Sequence, residues 1–202
     1  MTLFRSLLFA FGFMAALPAQ AQDIIGTTVI DGQRIEILSG FTWRYADQDT
    51  ATGCINYQHG VSFCGLGDGW DITRSNNADA VASFTWYDRV FGMIVAEGLG
   101  ATDGLVLDSL REIVLGFIAE EQGINTSDVP VLSEEAVEID GRPAKTLVYK
   151  GVINGLNLIY FNSIMSLPHR TFQFVTFTVG TDVTDDQKAA HAALIGNIRI
   201  GE

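Results

Sequence analysis

The stretch from Val131 to Gly180 constrains the fold of this chain most strongly, because turn signals divide it into four candidate strands. Asp140-Gly141 and Asn154-Gly155 are pairs that favour two-residue type I′ hairpin turns, in which both central residues need positive φ. Residues 166–170 supply a longer third turn. The sequence therefore predicts an antiparallel β-meander at the centre of the fold.

The first strand of this meander alternates in polarity. Val131, Val137 and Ile139 share one parity, whereas Glu134 and Glu138 share the other. In an extended strand, residues of one parity point to one face of the sheet. We therefore expect one face of this strand to be buried and the other to be exposed to solvent.

The later strands carry apolar residues on both faces. Ile159 and Phe161 oppose Leu158 and Tyr160, and the apolar parity of the last strand switches at Val175. Such a switch indicates either a strand that is covered on both faces or a β-bulge that resets its register. Both alternatives require a second layer over part of the sheet.

An amphipathic helix precedes the meander. Apolar residues recur at helical spacing from Val106 to Ile118. Thr102 or Asp103 can cap a helix that begins near Gly104, and Gly123 is well placed to end it. This apolar stripe is expected to pack on the sheet.

A second helix follows the meander. Thr184 and Gln187 have the spacing of a capping box, which marks a helix start. Ala189, Ala193 and Gly196 form a stripe of small residues, which predicts the face by which the helix approaches the sheet closely.

The first 21 residues have the pattern of a signal peptide. Arg5 is followed by an almost continuous apolar run over residues 7–17 and by Ala19-Gln20-Ala21, a small-x-small cleavage pattern. The apolar run is too short to span a bilayer stably, although a signal anchor is the alternative interpretation. We expect a mature chain that begins near Gln22, is periplasmic or secreted, and does not insert stably into a membrane.

The remaining chain divides into two parts. Residues 22–50 contain a predicted β-hairpin around Asp31-Gly32 and a further short strand, and so form an N-terminal β-strand extension. Residues 51–202 are expected to form the main α+β domain. Its fold class is an antiparallel β-meander sheet packed by two helices.

The charge of the chain is strongly one-sided. It has 24 acidic against 12 basic residues, which gives a formal net charge of −12. A chain this acidic is expected to be repelled by phosphate backbones and by anionic membrane surfaces. The charge therefore argues against nucleic-acid binding and favours solubility.

The two cysteines, Cys54 and Cys64, flank a predicted hairpin. In an exported protein this arrangement favours a structural disulfide bond. The alternative is a redox pair, but nine intervening residues do not place two thiols together at a helix N-terminus as C-x-x-C does. No cluster of histidines lies nearby in sequence, so a zinc site is not predicted.

Sequence motifs for catalysis are lacking. His59, His169 and His191 each stand alone in sequence, and residues 60–64 break the G-x-S-x-G pattern at its last position. The chain has no H-E-x-x-H and no P-loop motif. We therefore predict no catalytic, cofactor-binding or metal-binding residues, while a site assembled by folding stays open.

The segment from Val137 to Ala144 reads hydrophobic-x-Ile-Asp-Gly-x-Pro-Ala. Together with the helix before it, the long aromatic strands and the closing capped helix, it resembles the PsbP-like α-β-α sandwich family. The resemblance covers about Cys54 to Glu202. It implies an α+β sandwich, and members of that family include exported or lumenal assembly and accessory proteins. No catalytic motif of the family can be placed on these residues.

These observations favour a non-catalytic periplasmic accessory or binding protein, with an envelope protein as its possible partner. It would bind through a sheet face or a helix–sheet cleft. His59, Trp86 and Tyr87 are the candidate partner-binding residues, with core packing as the alternative for the two aromatic residues. The alternative function is a periplasmic enzyme whose site combines acidic residues with a lone histidine, His59 or His169. A purely structural envelope component is a third possibility.

Overall fold

The computed structural model describes residues 24–30, 33–39, 42–45, 48–49, 53–74 and 77–201. The predicted signal peptide over residues 1–21 lies outside these ranges. The described part contains fourteen strands and two α-helices. In chain order they are β1 (Ile24–Ile30), β2 (Gln33–Leu38), β3 (Trp43–Tyr45), β4 (Gln48–Asp49), β5 (Cys54–Asn56), β6 (Val61–Phe63), β7 (Trp70–Ile72), β8 (Ala80–Trp86), β9 (Val90–Glu97), α1 (Leu107–Gln122), β10 (Val131–Ile139), β11 (Arg142–Ile153), β12 (Leu156–Leu167), β13 (Arg170–Val179), α2 (Asp185–Gly196) and β14 (Ile198–Ile200).

A seven-stranded antiparallel sheet forms the centre of the fold, in the order β10-β11-β12-β13-β9-β8-β7. The predicted meander supplies its first four strands. Asp140 and Gly141 have φ angles of 49° and 70°, and Asn154 and Gly155 have φ angles of 51° and 78°. Both hairpin turns therefore have the positive φ pair that their sequences predict.

Both faces of this sheet are covered. Helix α1 packs on β11 and β12, and α2 packs on β13 and β9 on the opposite face. The pairing of β13 with β12 and β9 runs without a shift through Val175, so the strand is covered on both faces and has no bulge there. Val175 belongs to the cluster under α1, whereas its neighbour Phe174 belongs to the cluster on the side of α2.

The first strand of the meander departs from its predicted parity. A register shift between Val131 and Ser133 puts Val131 against the α1 cluster, while Val137 and Ile139 pack in the cluster on the α2 side. The prediction that these three share one buried face was therefore wrong. A bulge reverses the parity of all residues on one side of it, which sequence alternation alone does not show.

The helix ends agree with the prediction except at the start of α1, where the N-cap is Val106 and neither Thr102 nor Asp103 caps the helix. Helix α1 begins at Leu107 rather than near Gly104, because Thr102 and Asp103 lie in a short 3₁₀ helix that precedes it. Gly123 ends α1 in the left-handed conformation, with φ 65°, as expected.

The capping box of α2 is also present. The backbone N–H of Gln187 donates to Thr184 Oγ1, and the backbone N–H of Thr184 donates to Gln187 Oε1, each over 3.2 Å. The predicted small-residue stripe was wrong, since Ala189 and Gly196 are exposed. The buried face of α2 instead consists of Gln187, Ala190, His191 and Leu194.

Two smaller sheets complete the described strands. Strands β1, β2 and β3 pair with one another, and a four-stranded sheet has the order β14-β6-β5-β4. Val61, Phe63, Ile198 and Ile200 of this second small sheet pack into the cluster on the α2 side of the main sheet. The chain therefore forms an α+β sandwich with N-terminal strands added to it. No helix among the described residues is long and apolar enough to cross a membrane.

The predicted disulfide bond joins Cys54 in β5 to Cys64, which directly follows β6. Ile55 and Phe63, the neighbours of the two cysteines, pair across these antiparallel strands. The bond therefore fastens the β5–β6 hairpin, whose apolar side chains pack in the core.

Gly100 lies against the backbone of the β12–β13 turn, where there is no room for a side chain. A Cβ atom there would lie 2.2 Å from the Leu167 carbonyl oxygen and 2.5 Å from the Arg170 nitrogen, both at the β12–β13 turn. We expect Gly100→Ala to lower the free energy of unfolding by roughly 2–3 kcal/mol, because backbone atoms must shift. Gly116→Ala is the matched control within α1, where a Cβ meets nothing within 4 Å, and it should stabilise by about 0.5–1 kcal/mol. Urea unfolding of both variants measures the difference, and equal stabilities would contradict it.

Replacing both cysteines tests the disulfide bond. We expect Cys54→Ser/Cys64→Ser to lower the free energy of unfolding by roughly 2–3 kcal/mol, since the bond closes a short loop in the unfolded chain. Urea unfolding of the two forms measures the change. Thiol labelling of the unfolded, unreduced protein provides a separate readout, in which reaction of two thiols would show that the bond is absent.

Candidate functional site

A groove of about 520 Å³ lies between α2 and the outer strands β10, β11 and β12. Its walls are mainly apolar, and it is open to solvent along one side. Helix α2 packs on β13 and β9, so the outer strands are only partly covered on this face of the sheet. The lining residues are Leu132, Ser133, Glu135, Val137, Thr146, Val148, Phe161, Val183, Lys188, His191, Ala192 and Ile195.

Four polar side chains form a hydrogen-bonded chain at the inner side of the groove. Thr146 Oγ1 lies 2.6 Å from Ser163 Oγ, which lies 2.8 Å from His191 Nε2. On the other side of the imidazole ring, Thr176 Oγ1 lies 3.1 Å from His191 Nδ1. All four residues are buried, and Thr146 and His191 also line the groove. These hydrogen bonds link strands β11, β12 and β13 to α2.

Burial determines the protonation state of His191. Its side chain is 4% exposed, and this burial lowers the pKa of the imidazole from 6.5 to about 4. Its hydrogen-bond partners among the described residues are two hydroxyl groups and no carboxylate. The imidazole is therefore neutral at neutral pH, with one nitrogen as donor and the other as acceptor.

The Ser163–His191 contact has the distance of a nucleophile–base pair, but its surroundings differ from those of a catalytic triad. Ser163 is fully buried, so its hydroxyl cannot reach a substrate in the groove. The third group, Thr176, is an uncharged hydroxyl and does not stabilise an imidazolium as a carboxylate does. The arrangement can hold and orient a proton, and it favours ligand positioning over acyl transfer.

The rim of the groove carries the charged groups. Lys188 Nζ donates to Asp185 Oδ1 over 3.1 Å, so its charge is already paired. Glu135 is exposed and makes no ion pair within the described part of the chain. The rim therefore presents a net negative charge, in line with the acidity of the whole chain.

On the opposite face of the sheet, four aromatic rings form a ladder across β11, β12, β13 and β9. Successive ring centroids of Tyr149, Tyr160, Phe177 and Phe91 are 5.1, 5.6 and 5.4 Å apart. Tyr149 and Tyr160 are buried under α1, and burial raises the pKa of Tyr160 to about 12. Phe91 at the far end is exposed. The ladder is mainly core, and its exposed end forms a second apolar surface.

The residues predicted to bind a partner lie elsewhere. His59 is exposed in a 3₁₀ turn beside Gly98. Trp86 is partly buried with its ring 5.2 Å from that of Trp70, and Tyr87 is 65% exposed at the β8–β9 turn. None of the three predicted residues lines the groove. Partner binding by them stays a prediction.

The two exposed histidines, His59 and His169, do not line the groove. Arg170 donates to the backbone oxygens of His59 and Gly201, over 3.0 and 3.1 Å. His169 Nδ1 lies 3.0 Å from Thr102 Oγ1. Among the described residues, no group of three or more His, Cys, Asp or Glu side chains is placed to hold a metal ion.

Sequence reasoning did not find His191 or its partners. The available signal was the register of α2: counting from the capping box, Gln187, Ala190, His191 and Leu194 follow helical spacing. The sequence of α2 alone does not show whether this face or the small-residue stripe is buried, because that depends on how the helix packs on β13 and β9. The hydroxyl residues of β11, β12 and β13 gave no separate signal, because threonine and serine are common on either face of a strand.

Comparisons with known proteins describe the fold. No family model and no curated protein matches the chain. The solution structure of cyanobacterial PsbP (CyanoP) from Synechocystis sp. PCC 6803 matches with a TM-score of 0.49 and 13% identity, over 71% of this chain and 88% of that chain. LpqN, involved in cell envelope biogenesis of Mycobacterium tuberculosis, matches with a TM-score of 0.39 and 14% identity, over 70% of this chain and 83% of that chain.

The similarity to a PsbP structure is in line with the PsbP-like resemblance expected from the sequence. The chain is an α+β sandwich protein with an apolar groove between its last helix and the outer strands of its sheet. At these identities the comparisons concern the fold alone.

The lowered pKa of His191 makes the stability of the protein depend on pH. In the unfolded chain the imidazole binds a proton near pH 6.5, whereas in the folded protein it does so only near pH 4. Stability is therefore lost as pH falls from about 6.5 to about 4, by roughly 3 kcal/mol from this group. Urea unfolding of the wild type and of His191→Gln across this range measures the effect. The wild type should lose more stability than the variant, and parallel curves would contradict the assignment.

Proposed function

We propose that this chain is an exported, non-catalytic binding protein that holds an apolar group of its ligand in the groove between α2 and strands β10–β12. The observation that supports this most directly is the lining of the groove. Apolar side chains form its walls, and Thr146 and His191 converge on it as polar groups with partners behind them. A mostly apolar concavity with a few oriented polar groups is the general form of a ligand site.

The size of the groove supports a ligand of modest dimensions. Its volume of about 520 Å³ lies within the range of small-molecule sites, roughly 300–1,000 Å³. Because one side is open, the group that it holds can belong to a small molecule or project from a larger partner, such as an envelope protein. The negative rim favours an uncharged or basic partner over an acidic one.

The compartment is proposed from two features. Cys54 and Cys64 form a disulfide bond, and such bonds persist mainly in oxidising compartments. The first 21 residues have the composition of a signal peptide. Both features support a periplasmic or secreted location.

The buried polar chain supports binding rather than catalysis. The one hydroxyl in direct contact with His191 Nε2 belongs to Ser163, which solvent does not reach. Among the described residues, neither Lys188 nor Glu135 at the rim forms a hydrogen bond with the imidazole. These features fit a site that positions a ligand without transforming it.

Filling the groove tests this proposal. Ala189 and Ala192 are both exposed on α2, but only Ala192 lines the groove. We expect wild-type protein to bind Nile red, an uncharged apolar dye, with a saturable rise in fluorescence. Ala192→Trp should weaken this binding about tenfold or more, because the indole ring occupies the groove; a tenfold change corresponds to about 1.4 kcal/mol.

Ala189→Trp is the matched control and should bind the dye as the wild type does. Equal binding by both variants, or no saturable binding by the wild type, would count against the groove as the site. Native mass spectrometry of protein isolated from its own exported compartment then identifies the natural ligand or partner.

A further inference from the structure

The hydrogen-bonded network behind the groove contains one more polar proton than it has internal hydrogen bonds. Thr146, Ser163 and Thr176 each bring one hydroxyl proton, and neutral His191 brings one ring proton. Three contacts join the four groups, and each contact uses one proton. One proton is therefore left over, and its position is determined by the direction in which the hydrogen bonds run.

Only one direction places the spare proton on a hydroxyl group that lines the groove. If Thr176 donates to His191 Nδ1, then Nε2 donates to Ser163 and Ser163 donates to Thr146, so the spare proton lies on Thr146. In the reverse direction the spare proton lies on Thr176, which is 1% exposed and has no second partner among the described residues. A buried donor without an acceptor is costly, so the first direction is favoured.

A third arrangement of the protons would place the spare proton on Ser163, in the middle of the hydrogen-bonded network. If both Thr146 and His191 donated to Ser163, the Ser163 proton would be unpaired at a fully buried position. Thr146 is the member of the chain that is both a terminal group and part of the groove lining, and it is 9% exposed. A proton on Thr146 can thus bond to a group in the groove at no internal cost.

We infer that the groove selects a ligand whose apolar part carries an uncharged hydrogen-bond acceptor, such as an ester or ketone carbonyl, and that this oxygen accepts from the Thr146 hydroxyl. This inference rests on the proposed function and adds the chemical class of the ligand. Donors linked in a chain polarise one another, so Thr146 is a better donor than an isolated hydroxyl.

The charges around the groove support an uncharged head group. The polar chain contains no ionised group, and the walls beside it, Val148 and Phe161, are apolar. An anionic head would face the exposed Glu135 while Lys188 is held by Asp185. A charged group placed against these walls would lose its hydration without a partner beside Thr146.

Two matched probes isolate the acceptor. 2-Octanone and 2-methyl-1-octene have nearly the same shape, but only the ketone has a carbonyl oxygen. NMR titration of the full folded protein gives a dissociation constant for each. Their ratio in the wild type, divided by their ratio in Thr146→Val, cancels the difference in hydration between the probes. We expect the preference for the ketone to fall about tenfold in Thr146→Val, because its oxygen is left unpaired.

Thr146→Ser keeps the hydroxyl and should keep the wild-type ratio, which separates loss of the donor from a general disturbance of the site. An unchanged ratio in Thr146→Val would overturn the inference. So would tighter binding of octanoate or octylammonium than of 2-octanone. If Nile red binds but neither matched probe does, the ligand class is wrong while the proposed function stands. If the dye and the probes all fail to bind, both are wrong.

The direction of the hydrogen bonds has its own readout. The proton count requires His191 to carry its proton on Nε2. Nitrogen chemical shifts of the His191 ring distinguish the two neutral tautomers, and they do so without any ligand. Observation of the Nδ1-protonated tautomer would place the spare proton on Thr176 and overturn the inference.

Discussion

Burial of β12 on both faces is the constraint on which the rest of the structure depends. All eight residues from Leu158 to Met165 are buried, although successive side chains in a strand point to opposite faces. An antiparallel sheet commonly leaves one face in water, but this strand requires cover on both. Helix α1 covers one face, and α2 together with the β14-β6-β5-β4 sheet covers the other. The sandwich architecture follows from this requirement.

The two helices cover different strands of the sheet, and the groove results from this difference. Helix α1 lies over β11 and β12, and its Asp108 pairs with Lys145 of β11. Its ion pair from Arg111 to Glu134 extends the contact to β10. The Arg111 hydrogen bond lowers the pKa of the Glu134 carboxyl, so this pair holds α1 to β10. On the opposite face α2 lies over β13 and β9, and an open, mainly apolar groove remains beside it along β10 and β11. The groove therefore lies where α2 does not extend over the strands at this edge of the sheet.

Features that depend on neighbouring backbone were predictable from sequence, and features that depend on distant packing were not. The turns at Asp140 and Asn154 and the cap at Thr184 were predicted correctly, because a few local residues determine φ and the capping contacts. The parity of Val131 and the role of His191 were missed. The first depends on a bulge, and the second depends on how α2 is rotated over the sheet. The groove combines both, so no local pattern could reveal it.

The polar chain is difficult to explain by stability alone. If His191, Ser163 and Thr176 were all replaced by apolar residues of similar shape, the change could be nearly neutral, whereas removing one member leaves the others unpaired. The surrounding cluster of Val148, Ile159 and Phe161 shows that this region can be packed with apolar groups. A core that only needed to be stable therefore gains little from four linked polar groups. What such a network can provide is a hydrogen-bond donor at the wall of a groove, which the proposed ligand site requires.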